Sequence, residues 1–193
     1  MDGREKAGFM GVAGPGNNQE GEARQSGQSL VELALVLPLL LTFTMGIIEG
    51  GFLFRDYNAL VTATWMGARF AVDGGADTDV VTVVQSNASG LPIAADRTDI
   101  YVVRGATDTS GAIATWNIDH AFGNGAAQPK VSKSGLQQQL QNGISGLDSS
   151  TYSNVSFVVV EIDYQHRSAT GSWVLPVTLP IRSYAVAQQL PAQ

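Results

Sequence analysis

The chain contains no cysteine. That absence removes disulfide frameworks, thiolate metal sites and cysteine nucleophiles together, and it tolerates export without requiring it. Charge is also scarce: charged residues make up 15% of the chain, against about 25% in an ordinary soluble domain. A shortfall of this kind points to a membrane segment. Cations are the scarcer sign, with Lys+Arg 11 against Asp+Glu 17 and a net charge of -6. Such a balance leaves no electrostatic footprint for nucleic acid and no polybasic run for anionic lipid, so nucleic acid is not an expected partner.

What is present divides unevenly. A chain of 193 residues holds one domain with a real core plus an accessory segment. Residues 1–27 are rich in Gly, Glu, Gln and Asn around a Gly14-Pro15-Gly16 breaker, and read as a hydrophilic leader without a fold of its own that stays in the cytoplasm. From Leu30 to Ile48 nearly every residue is apolar apart from Glu32 and small polar side chains, and the run resumes at Gly50 after Glu49. A run of roughly 20 residues matches a helix crossing about 30 Å of hydrocarbon. It is longer than the apolar part of a cleavable secretory signal, its flank mixes acids with Arg4, Lys6 and Arg24, and no convincing cut site follows Ile48.

Beyond the run, Phe54, Tyr57, Leu60, Val61, Thr64, Trp65 and Ala68 recur at helical spacing, with Arg55, Asp56, Asn58 and Arg69 toward the other face. The spacing predicts one helix over 28–73, stopped at Asp73-Gly74-Gly75. The remainder, 74–193, reads as an α+β domain. Residues 77–86 read as a short helix or a strand, their valines and their Asp-Thr-Asp opening pulling opposite ways, with helix the favoured reading; 99–104 and 113–118 are expected to form a hairpin, and 134–141 a surface helix opened by a Ser cap. The strongest strands are 156–166 and 173–186, a second hairpin around Gly171. Pro176 and Pro180 lack backbone donors, so the last strand belongs at an edge or contains a break.

The most informative stretch is Ser26-Gly27-Gln28-Ser29-Leu30-Val31-Glu32. A polar leader ends in Gly, and a carboxylate sits near the start of an apolar helix. A charged residue at the centre of a membrane helix costs about 2.5 to 3.5 kcal/mol, less near its end, so Glu32 calls for a partner. Together with Leu37-Pro38-Leu39-Leu40, Gly46-Ile47-Ile48-Glu49, Tyr57-Asn58-Ala59-Leu60 and Gly67-Ala68-Arg69-Phe70-Ala71, this stretch resembles the TadE-like family, minor pilins or pseudopilins of the tight-adherence (Flp, type IVb) pilus machinery. The departure is Gly50-Gly51-Phe52 after Glu49, where relatives more often place an aromatic residue before Gly.

The resemblance implies a long N-terminal helix with a small antiparallel sheet domain, export by the inner-membrane route, and removal of the leader after Gly27 by a membrane prepilin peptidase. It also implies a structural role in a pilus or its assembly platform, with adhesion and secretion as the biological context. Gly27 and Gln28 are then the processing residues, since Gly lets extended backbone lie against a protease wall; a plain flexible joint is the other reading of Gly27. Cleavage would create an amine on Gln28 one helical turn from Glu32, making Glu32 an assembly residue that pairs within its own chain or with a neighbouring subunit; a headgroup-level or helix-capping role is the alternative.

Gly46 and Gly50 have the Gly-x-x-x-Gly spacing that lets two membrane helices approach, a spacing that also arises by chance. Glu49 reads either as a second assembly contact or as a residue at headgroup level that needs no partner. His120 and His166, with Asp119 and Asp163, lack metal-ligand spacing and read as satisfied surface or loop histidines. Asp73, Asp77 and Asp79 read as turn and capping residues. No metal, cofactor or catalytic constellation is expected, and no Gly-x-Ser-x-Gly elbow is present. The expected partners are the membrane, the prepilin peptidase, other pilin or pseudopilin subunits and the assembly platform. The expected topology is single-pass, with a cytoplasmic N-terminus and a periplasmic or cell-surface C-terminal domain. An uncleaved bitopic scaffold or binding module of a secretion complex is the rival.

Overall fold

The computed structural model describes residues 18–88, 90–125, 128–141, 153–169 and 178–188. Residues 1–17 of the expected leader, Gly171 of the expected second turn, and residues 173–177 with Pro176 lie outside the described residues. The elements are α1 (Asn18–Val72), α2 (Asp77–Asn87), β1 (Thr98–Thr107), β2 (Ile113–Phe122), α3 (Lys133–Gln141), β3 (Ser156–Arg167) and β4 (Thr178–Gln188). The α+β class, the long apolar helix and the small antiparallel sheet are those expected. The helix starts earlier than its apolar pattern, at Asn18 within the segment that composition assigns to the leader.

The chain divides into two units, Met1–Thr44 and Met45–Gln193. In the first, every large apolar side chain from Leu30 to Phe43 is exposed. Pro38 withdraws one backbone donor from the helix. The hydroxyls of Thr42 and Thr44 donate to the carbonyls of Pro38 and Leu40, each at 2.8 Å, so neither presents an unmet donor to an apolar medium. Among the described residues, one helix, Gly27–Val72, is long and apolar enough to cross a membrane, and its most apolar stretch has no buried residue.

The second unit is built on a 4-stranded sheet of order β2-β1-β3-β4, antiparallel throughout. Strand alternation sorts its side chains onto two faces. Ile100, Val102, Val158, Val160, Ile162, Tyr164, Ile181 and Ala185 pack with Leu60, Ala63, Ala68 and Ala71 of α1 and Val80 and Val84 of α2. Val103, Phe157 and Val159 turn to the other face, against Leu136 and Leu140 of α3. β4 with Pro180 is an edge strand, as its proline demands. The cap of α3 is Ser132 rather than Ser134: its Oγ accepts the Gly135 N–H at 3.0 Å.

α1 meets the sheet with only part of the face that its helical spacing suggests. Phe54, Tyr57 and Trp65 are exposed, whereas Asp56, Leu60, Ala63, Thr64 and Ala68 are buried. Small residues set the contact because they let backbones approach closely. At Gly67 an added Cβ would stand 2.8 Å from Val84 Cγ2 and 3.5 Å from Val80 Cγ1. The helix ends where expected. Gly74, at φ 96°, donates to the Ala71 carbonyl at 3.3 Å and Gly75 to that of Phe70 at 3.1 Å, the paired bonds of a Schellman stop. Arg104 of β1 completes the cap by donating to the carbonyls of Ala71 (3.1 Å) and Gly75 (2.8 Å) while pairing with Asp77 of α2.

Because valine at position 67 would drive stiff β-branched atoms against Val84, Gly67→Val is expected to destabilise the second unit by about 1 to 3 kcal/mol. Gly50→Ala, whose Cβ meets nothing within 4 Å, serves as the control and should not. Urea unfolding of the detergent-solubilised chain, followed by circular dichroism, compares them; equal midpoints for the two variants would refute the close approach.

Candidate functional site

The candidate residues fall into two groups. Near the start of the apolar run, Gln28 Nε2 donates to Glu32 Oε1 at 3.2 Å. The two side chains share one helix face because they are four apart. Glu32 is exposed, as is Gly27, which has nothing within 4 Å of its missing Cβ. Gly46 is half-buried and Gly50 exposed.

Glu49 has a different setting. It is 0% exposed and lies in the second unit beside Asp56, 3%, and His166, 3%. His166 Nε2 is 3.0 Å from Glu49 Oε1, and His166 Nδ1 is 2.7 Å from Asp56 Oδ2. The Ala169 N–H also donates to Glu49, at 3.1 Å to Oε2 and 3.3 Å to Oε1. Behind Asp56, the Arg55 guanidinium donates to Oδ1 at 2.8 and 3.1 Å. Two carboxylates seven residues apart on α1 thus grip one imidazole near the end of β3.

Hydrogen bonding and charge balance together favour a protonated His166 in this group. A neutral imidazole has one N–H and can donate to one carboxylate only; the imidazolium donates to both. With His166 protonated, two cations balance two anions and each short contact is a charge-assisted bond. Burial by itself lowers the His166 pKa, but the bonds to Glu49 and Asp56, with their charges, outweigh it and hold the group above its ordinary value. Both ring nitrogens are occupied and the group is sealed from solvent, so it offers neither a metal-ligand position nor access for a substrate. His166 is therefore a buried strand residue, not the surface or loop histidine suggested by its isolation in the sequence.

His120 has another partner than the nearby Asp119: its Nε2 lies 3.0 Å from Asp99 Oδ1, and its ring stacks on Tyr101 with centroids 4.9 Å apart. A further buried carboxylate, Glu161, accepts the N–H groups of Lys130 (2.8 Å) and Val131 (2.7 Å) and ties the approach to α3 onto β3. Burial pushes its carboxyl above the usual range. Asp163, once a conceivable metal ligand, pairs with Arg182.

Sequence reasoning singled out Glu49 but missed its partners. The available signal was the spacing of Glu49 and Asp56, which puts two acids on one helix face. Nothing local linked them to a histidine more than a hundred positions away.

The fold and these residues define a class: an α+β protein with one long apolar N-terminal helix followed by a small four-stranded antiparallel sheet. Residues 27–69 match the family model described as TadE-like protein, the family that the motifs between Gly27 and Ala71 resemble. That family comprises structural components of the tight-adherence pilus system. The matched segment contains Gly27, Gln28, Glu32, Gly46, Glu49, Gly50 and Asp56, while His166 and every strand lie beyond it. No curated protein and no solved structure matches the chain.

The raised His166 pKa has a definite sign. A histidine whose folded value exceeds its unfolded value of about 6.5 contributes stability that is fully present below that value and is lost as pH rises through the folded one. Urea midpoints of the detergent-solubilised chain should therefore fall with rising pH above about 6.5, and His166→Gln, which cannot titrate, should lose that component. His166→Ala should cost about 3 to 5 kcal/mol near neutrality, since it leaves buried carboxylates without their cation. Superimposable pH profiles for the parent chain and His166→Gln would show that the imidazolium contributes nothing.

Proposed function

We propose that this chain is a minor pilin or pseudopilin that takes part in assembly of a tight-adherence pilus. Residues 1–27 form its leader, 28–73 its membrane and extended helix, and 74–193 its extracytoplasmic domain. The helix crosses the inner membrane once, with its N-terminus in the cytoplasm and its C-terminal domain in the periplasm or at the cell surface. A prepilin peptidase cuts after Gly27, and the mature chain meets other pilin or pseudopilin subunits and the assembly platform. Its role is structural rather than catalytic.

The observation that carries this reading is the meeting of Gln28 and Glu32 at the start of an exposed apolar helix, inside the segment that matches the family. Cleavage would turn the backbone nitrogen of Gln28 into an ammonium beside a carboxylate at the membrane edge. That ammonium can be neutralised by Glu32 of its own chain or of a neighbour, and either pairing offsets the desolvation of both charges. Gly46 and Gly50 are proposed to give adjacent helices room to approach. The Glu49 carboxylate already has partners in its own chain, so any assembly contact it makes acts through the group it shares with His166.

One observation favours the rival, an uncleaved bitopic scaffold: α1 runs through Gly27 as helix from Asn18, and a peptidase needs that backbone extended. Glycine makes local unwinding cheaper by about 1 kcal/mol relative to alanine.

Intact-mass and N-terminal analysis of membrane fractions separates the two readings. The pilin reading expects a mature terminus at Gln28, and full-length chain after replacement of Gly27 by a bulky residue. An unprocessed terminus in cells with an active peptidase supports the scaffold. Glu32→Gln should still be inserted and cleaved yet fail to enter the pilus or its platform, and normal incorporation of that variant would remove Glu32 from assembly. A reporter active only outside the cytoplasm, fused after Gln193, should be active.

A further inference from the structure

Past Ile48 the outward side of α1 stays apolar although the helix has entered the second unit. Phe54 is 69% exposed, and Phe52 and Tyr57 are also open. Beside them, Gly50, Leu53, Phe54 and Tyr57 of α1 and Leu179 to Arg182 of β4 enclose a groove of about 550 Å³. Its lining is chiefly apolar. The nearby cations are engaged elsewhere: Arg182 pairs with Asp163 and Glu161, and Arg55 pairs with Asp56 while its guanidinium carbon lies 5.4 Å from the centre of the Phe52 ring.

The buried group around His166 sets the height of this groove. Glu49 directly follows the exposed apolar run and is bonded to His166 and Ala169. That end of β3 is therefore held at the level where the run stops. In the β3–β4 register His166 stands opposite Leu179, and Gln165 opposite Pro180, so the start of β4 lies beside that end of β3, one strand spacing of about 4.8 Å away. Along α1, Gly50 to Phe54 fall roughly 3 to 9 Å beyond Ile48, and Tyr57 roughly 14 Å, at about 1.5 Å per residue. The headgroup layer on each side of a bilayer is about 5 to 8 Å thick. Exposed Phe and Tyr flanked by Arg, just beyond an apolar run, match the composition of a membrane–water interface.

We infer that the groove between α1 and the start of β4 is a lipid seat, which takes an acyl chain of the outer leaflet and rests the domain on the bilayer surface. The inference depends on residues 30–48 spanning the membrane. The occupant is apolar lipid rather than an anionic headgroup because, among the described residues, the one cation lining the groove, Arg182, is already paired. Ile47, exposed and three residues before Gly50 on the same side of α1, makes lipid the medium already in contact with this side of the helix. The domain is then held by two attachments, the helix that anchors it and the groove that rests it on the lipid.

The cysteine-free chain permits an unambiguous test with one nitroxide label at a time. Full-length Leu37→Cys, Pro180→Cys and Thr109→Cys proteins are reconstituted into vesicles of phosphatidylethanolamine and phosphatidylglycerol. Collision of each label with membrane-soluble oxygen and with a water-soluble nickel chelate is read by spin resonance. Leu37 reports the span, Pro180 the groove, and Thr109 the opposite end of the sheet. The expected pattern is oxygen-dominated at Leu37 and Pro180 and nickel-dominated at Thr109, with Phe54→Asp shifting the Pro180 label toward nickel. If Pro180 matches Thr109 while Leu37 stays oxygen-dominated, the lipid seat is overturned and the span stands. If Pro180 is shielded from both reagents, another protein chain fills the groove and the lipid seat is again overturned. A nickel-dominated Leu37 label defeats the spanning reading itself, and the seat with it.

Discussion

A carboxylate buried beside an apolar helical run is too costly to leave uncompensated, and the arrangement of the second unit follows from how Glu49 is compensated. Its cation is an imidazolium supplied by β3, and the same ring satisfies Asp56 two turns further along α1. A histidine between two acids can grip a helix at two points, which a single ion pair cannot. The geometry fixes both the distance of the sheet from α1 and the height at which the sheet begins. Arg104 fixes the far end by closing the terminal carbonyls of α1 and holding the first turn of α2. Between these polar attachments the contact is made by small residues, Ala63, Gly67, Ala68 and Ala71, which allow close packing against valines.

The packing explains why the aromatic residues of α1 stand outward. Once small side chains form the contact face, Phe54, Tyr57 and Trp65 cannot share it and project away from the sheet. An outward aromatic face would be a liability in a freely soluble domain. On a helix continuous with a membrane-length apolar run, it suits an interface with lipid or with a neighbouring helix. The two candidate regions consequently have different characters. The Gln28–Glu32 end is exposed and open to partners, whereas the Glu49–His166–Asp56 group is closed and sets geometry.

Much of the fold was legible in the sequence because its signals are local. The apolar run, the Asp73-Gly74-Gly75 stop, the α2 segment, the 99–118 hairpin and the edge position of a proline-bearing last strand each depend on neighbours a few residues away. The candidate site was only half legible. Glu32 and Gln28 are four residues apart on one helix, so their closeness could be read directly, whereas the bond that forms is from the Gln28 side-chain amide. Glu49 was recognisable as an acid needing explanation, but its partner lies 117 positions along the chain.

The sequence by itself determined the α+β class and the length of the apolar run, because composition and periodicity express directly how a backbone is solvated. Tertiary structure alone decided which face of α1 is covered and where the charge of Glu49 goes. Helical spacing put Leu60, Thr64 and Ala68 on one face with Phe54, Tyr57 and Trp65, yet only the first three are buried; close packing favours the side that lets backbones approach, and that choice exists only once the sheet and α2 are in place. The role of His166 likewise arises from β3 alternation and sheet register, which bring a lone ring between two acids that were already on one helix face. No local pattern encodes that meeting, since it results from the long-range pairing of strands.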